Sequence, residues 1–178
     1  MTRSRSCSSR PSRDIVAPLL FGAALALLAH GCSAPVAGDR FTVHAPASAQ
    51  FPPVGALLER RCGTLDCHGS TSRNLRLWGH DGLRLDPTAV SGAGDTTTEE
   101  FIADYHSVVG LEPEVLTAVV HDGGAHPERL TLVRKARGLE KHYGGAQVVA
   151  GDDGDVCITS WLAGNVNAPA CDRASTAR

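Results

Sequence analysis

Large aromatic side chains are scarce. Two Trp, two Tyr and four Phe make up 4% of the 178 residues. A core with so few rings is filled with aliphatic side chains, or packs around something else that is flat and apolar. Methionine is scarcer still: Met1 is the only one. Charge of neither sign prevails, and a net charge of −2 gives no footprint for nucleic acid. No repeat is visible. No nucleophile–base pair, pair of acid/base carboxylates or phosphate-cradling loop argues for an enzyme. Long apolar runs are almost absent. The one exception, residues 19–29, "LLFGAALALLA", has eleven residues. As a helix it reaches about 16 Å, roughly half a bilayer core.

That run is too short to span a membrane and suits the apolar part of a signal peptide. Arg3, Arg5, Arg10 and Arg13 precede it against one acid, Asp14. It ends at Gly31-Cys32. A small residue directly before cysteine resembles the bacterial lipobox, although Ala29 stands where leucine is usual. The sequence therefore predicts a signal peptide over 1–31 and lipidation of Cys32. The mature chain would be anchored to a membrane by acyl chains, facing the periplasm or exterior. Removing the leader leaves a more acidic chain. Residues 32–52, rich in Ala, Pro and Ser, read as a tether.

Six cysteines are present. Cys7 leaves with the leader and Cys32 is the lipidation candidate. Cys62, Cys67, Cys157 and Cys171 remain, an even number in an exported chain. Four cysteines allow three pairings. The simplest joins Cys157 with Cys171 and Cys62 with Cys67. If another chemistry uses the second pair, the first still forms a disulfide.

Helical patterns dominate the rest, so the expected class is mostly α, with short helices and long loops over 53–171 and a flexible tail over 172–178. "PVGALLERRC" starts with Pro53 and repeats Val54, Leu57, Leu58 and Cys62 on one face. "TEEFIADYHSVV" follows a Thr cap with acids in its first turn. "LEPEVLTAVV", "PERLTLVRKARG" and "DVCITSWLAG" complete the set. Leu75, Leu77, Leu83 and Leu85 alternate around Gly79-His80-Asp81-Gly82 and predict a short hairpin over 75–86. Asp152, Asp153 and Asp155 lack the ligand spacing of a calcium loop and read as a cap for the last of these helices.

The densest chemistry lies in "RRCGTLDCHGS". Cys62 and Cys67 flank four residues, and His68 follows Cys67 directly. Covalent haem attachment needs two thiols near the vinyl groups and an axial imidazole on the same side of the ring. The adjacency of Cys67 and His68 meets the second need, and the longer gap would bulge outward as a loop. A Cys62–Cys67 disulfide with His68 at the surface is the alternative. It would make the chain a haem-free lipoprotein held by two disulfides, acting as a binding or structural module. A zinc site is a third reading, but it needs a fourth ligand and places two ligands on adjacent residues.

Three islands resemble bacterial cytochrome-c-like domains of the type called Planctomycete cytochrome C. These are "RRCGTLDCHG", the late segment with Leu132, Lys135 and Gly138 followed by His142, Gly144 and Gly145, and the final Trp161, Leu162 and Gly164. The family's attachment motif has two residues between the cysteines, so this chain departs from it there. The resemblance covers about 53–164. It implies a monohaem c-type domain that carries single electrons between redox partner proteins. Cys62 and Cys67 would be the attachment points and His68 the proximal ligand of haem c. With no methionine in the mature chain, a distal ligand would be a second histidine. His142 matches the family's late histidine and is the first choice; His126 follows, then His121. Bis-histidine ligation implies a low potential and a low-spin iron, and an open position implies a high-spin one. Arg134, Lys135 and Arg137 are candidate partners for haem propionates, with a solvated helix face as the alternative.

Overall fold

The computed structural model describes residues 41–176, so the leader, Cys32 and the first part of the tether, 32–40, lie outside the described residues. Six α-helices run in chain order: α1 (Pro52–Cys62), α2 (Thr98–Val109), α3 (Pro113–His121), α4 (Thr131–Ala136), α5 (Asp153–Leu162) and α6 (Ala168–Thr176). No β-strand forms among these residues, and the class is mostly α. None of these helices is long and apolar enough to cross a membrane.

Helix α1 begins with two prolines, whose missing N–H groups cost nothing at a helix start. Its apolar face buries Val54, Leu57 and Leu58. Helix α2 opens with a reciprocal capping box. The Thr97 hydroxyl accepts from the Glu100 amide, and the Glu100 carboxylate accepts from the Thr97 amide. Asp152 caps α5 by accepting from the Asp155 amide at 2.8 Å.

The few aromatics are concentrated in one place. Phe51 meets Trp161 edge-on at 5.3 Å and Tyr105 at 5.6 Å. Phe51 and Trp161 are fully buried. Trp161 therefore packs helix α5 into the core. Phe51 lies in the stretch read as tether, yet it is a core residue. Nearby, the Tyr105 hydroxyl donates to the Pro46 carbonyl at 3.0 Å, and the His44 amide donates to Thr117 Oγ1 at 3.0 Å. The packed domain thus starts before residue 53, because one ring outweighs the surrounding Ala and Pro.

Three further expectations are corrected. The tail over 172–178 begins as helix instead: α6 buries Ala170, Cys171 and Ala174, and Arg61 donates two hydrogen bonds to the Ala174 carbonyl at 3.0 and 3.2 Å. The Cys157–Cys171 disulfide ties α6 to α5. The pattern over "PERLTLVRKARG" breaks in two. Pro127–Arg129 is a 3-10 turn, and Leu130 is extended with ψ 131° before α4 starts. Glu112 holds that break by accepting from Thr131 N at 2.6 Å and Thr131 Oγ1 at 2.8 Å. The hairpin over 75–86 does not form; one isolated bridge joins Trp78 and Leu83. Its amides are used elsewhere: Arg76 N on Ser107, Leu77 N on His68, Trp78 N on Asp104 and Leu85 N on Glu100. No ladder can form when its donors are spent on helices and loops.

Candidate haem-binding cleft

Helix α1 delivers Cys62 at its last position, where Gly63 closes the turn by donating to the Glu59 carbonyl at 2.7 Å. The longer loop then folds on itself. The His68 amide donates to the Cys62 carbonyl at 2.9 Å, and the Cys67 and Gly69 amides both donate to the Thr64 carbonyl at 2.9 Å. The inserted residues bulge outward, with Leu65 exposed, while the loop ends stay joined. Three glycines make this closure possible. A Cβ on Gly69 or on Gly82 would land on the Gly63 carbonyl oxygen.

A cleft of about 400 Å³ opens beside the loop. That lies within the usual range for small-molecule and cofactor sites. Cys62, His68 and Leu75 line one side, and Leu111, Leu132 and Ala136 add apolar surface. Arg73, Asn74, Lys135 and Gln147 supply polar groups. His142 also lines it. Its loop is held to the end of α4 because the Gln147 and Val148 amides donate to the Ala136 carbonyl at 2.8 and 3.1 Å. Gly138 and Gly145, with φ of 69° and 67°, supply left-handed turns that few other residues accept.

The cleft's main feature is a pair of imidazoles. The rings of His68 and His142 are near-parallel, 22° apart in plane, with centres 5.8 Å apart. Each has its Nδ1 on a backbone carbonyl: His68 on Leu75 at 3.0 Å, His142 on Gly145 at 3.2 Å. A carbonyl only accepts, so each Nδ1 carries a proton, and in a neutral ring Nε2 is then the nitrogen with the lone pair. Burial pushes the His68 pKa down, against the raising effect of the Leu75 bond, and the charges of His142 and Arg73 push it further down. His68 is thereby kept neutral, the state in which imidazole binds a metal.

Cys62 and Cys67 are free thiols, both half-buried. Burial, with the neighbouring Cys67, pushes the Cys62 thiol up to about 12. Cys62 is therefore a neutral S–H rather than a ready thiolate ligand. Among the described residues no cluster of three or more His, Cys, Asp or Glu is arranged to hold a metal ion, so the zinc reading gains nothing.

The other candidates lie elsewhere. His126 is exposed in a left-handed turn beside Glu128, and His121 is exposed next to Asp122. Neither lines the cleft. Arg137 is spent on Asp155, with bonds of 2.7 and 2.9 Å. Arg134 bonds Glu140 and the turn before α4. Lys135 pairs with Glu140 at 2.7 Å while lining the cleft. The sequence did not single out Arg73, or the carbonyls of Leu75 and Gly145. A backbone acceptor leaves no mark on the sequence, and Arg73 lies in a polar loop without pattern. Comparison with known protein families, curated proteins and solved structures finds no match to this chain.

Proposed function

We propose that the domain binds one haem c in this cleft and passes single electrons, as a cytochrome-c-like module anchored to the cell envelope through Cys32. The observation that carries the reading is the His68–His142 pair, two near-parallel imidazoles with centres 5.8 Å apart in one cleft and both Nδ1 atoms on backbone carbonyls. The donor set fits the group. His68 and His142 are the residues that would hold the iron, and Cys62 and Cys67 those that would attach the ring by adding S–H across its vinyl groups. A pair of free thiols that is not joined in a disulfide suits that addition. When bound, the haem supplies a one-electron iron couple.

The chain's own groups do the rest. The Leu75 and Gly145 carbonyls fix both imidazole tautomers and keep Nε2 basic. Leu75, Leu111 and Leu132 give the cleft apolar walls, and two histidines with no methionine ligand favour a low potential. Lys135 and Arg73 offer positive charge to an acidic edge of the ligand.

The test is expression with a cytochrome c maturation system, followed by a pyridine haemochrome spectrum on acetone-extracted, denatured protein. Covalent haem with a low-spin native spectrum is expected, and His142→Ala should turn it high-spin. A haem-free product whose mass matches two disulfides would refute the reading and leave the structural module in its place.

A further inference from the structure

Residues 75–78 form a segment held by hydrogen bonds on two sides. On one side the Leu75 carbonyl meets His68 Nδ1 at 3.0 Å, and the Leu77 amide donates to the His68 carbonyl at 2.9 Å. On the other side the Arg76 amide donates to Ser107 Oγ at 2.9 Å, and the Trp78 amide donates to Asp104 Oδ1 at 2.7 Å. Asp104 and Ser107 lie three residues apart on α2, hence on one helix face. Leu77 is fully buried and Leu75 nearly so, which fixes the segment between the two clamps.

We propose that Asp104 is a positioning residue for His68: from helix α2 it holds the segment whose Leu75 carbonyl fixes the ring's tautomer and direction. The inference rests on the haem reading only for its consequence at iron; the clamp itself concerns the protein alone. Asp104 has no exposed surface, and its Oδ2 has no hydrogen-bond partner. A buried carboxyl in that position is costly unless it holds something in place. The charged groups that act on it are Glu59 from α1 and Glu100 from its own helix, and Glu100 is itself paired with Arg84. Burial first, then those two acids, push Asp104 up to about 8, against the lowering effect of the Trp78 bond. The Trp78 bond asks Oδ1 only to accept, whether or not the carboxyl is protonated. An amide can replace it in that role.

The test uses the full chain produced with the maturation system, as wild type, Asp104→Asn, Asp104→Ala and Ser107→Ala. Haem content by pyridine haemochrome reads the underlying function. NMR of the His68 ring reads the clamp, through the Nδ1–H exchange rate and nitrogen shifts, with or without haem. Asp104→Ala should speed Nδ1–H exchange at least tenfold and raise the midpoint potential of loaded protein, because a looser carbonyl makes the imidazole a weaker donor. Asp104→Asn should keep the wild-type rate, and Ser107→Ala should fall between. Unchanged exchange in folded Asp104→Ala overturns the proposal. If that variant does not fold, unchanged exchange in Ser107→Ala, or Asn behaving as a lost clamp, overturns it. A chain without haem that still shows this order of exchange rates would refute the haem reading and leave the clamp standing.

Discussion

Replacing Arg84 with methionine tests the least exposed ion pair among the described residues. The Arg84 and Glu100 side chains are 6% and 2% exposed and meet as a fork, Nε to Oε1 at 2.9 Å and Nη2 to Oε2 at 3.1 Å. Glu100 also accepts from the Thr97 amide at 2.9 Å and the Leu85 amide at 3.0 Å. Arg84 donates onward to the carbonyls of Ala93, Gly94 and Asp95. The pair thus joins the loop over 84–95 to the start of α2, the helix that carries Asp104. Removing one partner of a buried pair costs about 3–5 kcal/mol, because the other charge is left uncompensated. A domain of this size has only about 5–15 kcal/mol in all.

The pH dependence distinguishes this cause from lost packing. Burial alone would raise the Glu100 pKa, but the Arg84 fork and the two amides outweigh it and hold the carboxyl below its usual value. In the wild type, that stability is present above the unfolded pKa and is lost as pH falls through the folded one. In Arg84→Met the burial effect remains without the fork, so Glu100 should take up a proton on mild acidification. The cost of the substitution should therefore shrink between pH 7 and pH 5. Urea unfolding followed by Trp fluorescence measures it, in a cycle with Glu100→Gln and the double variant. The double variant should cost less than the two singles together, with a coupling of about 2 kcal/mol or more. A loss under about 1 kcal/mol at pH 7, or a pH-independent loss, would show that solvent reaches the pair and refute the reasoning.

Three other outcomes follow from the same structure. Asp104, held up at about 8, keeps a proton in the fold that the unfolded chain releases near its ordinary value of about 3.9. Wild-type stability should therefore fall as pH rises from about 4 to about 8, and Asp104→Asn should gain on it by up to about 1.4 kcal/mol per pH unit; parallel urea profiles from pH 5 to 8 would contradict this. Cys157 and Cys171 are separated by 14 residues, and closing a loop of that size contributes about 3 kcal/mol. Replacing both with serine should lower the urea midpoint accordingly and expose α6 to hydrogen exchange, and an unchanged midpoint would argue against it. Gly69→Ala drives a Cβ into the Gly63 carbonyl and should cost about 2–4 kcal/mol. It should also cut the yield of covalent haem, read by circular dichroism and pyridine haemochrome; a stable variant with full yield would show that the loop has slack.

The helices that carry strong local signals were legible. Thr97 and Glu100 announce α2 three residues apart, and paired prolines announce α1. Helix α6 was not legible, because its buried face is Ala170, Cys171 and Ala174. Those residues give almost no apolar contrast, and the disulfide supplies much of the reason for their burial. The hairpin was misread for a related reason. Leucine alternation over 75–85 reflects an extended path, but alternation says nothing about where the amides go, and here they go to His68 and α2. In the cleft, Cys62, His68 and His142 were each identifiable from the sequence. Their convergence depends on long-range features: the return of 147–148 onto Ala136 and the glycine stack at Gly63, Gly69 and Gly82.

Scarce aromatics allowed two kinds of core, one aliphatic and one built around a flat ligand, and the fold separates them. Phe51, Tyr105 and Trp161 gather in one cluster that α1, α2 and α5 share. The cleft walls carry no Phe, Tyr or Trp: Leu75, Leu111, Leu132 and Ala136 line them, with two imidazoles as the only rings. The aromatic cluster packs the helices together, and α2 links that cluster, through Asp104 and residues 75–78, to the orientation of His68.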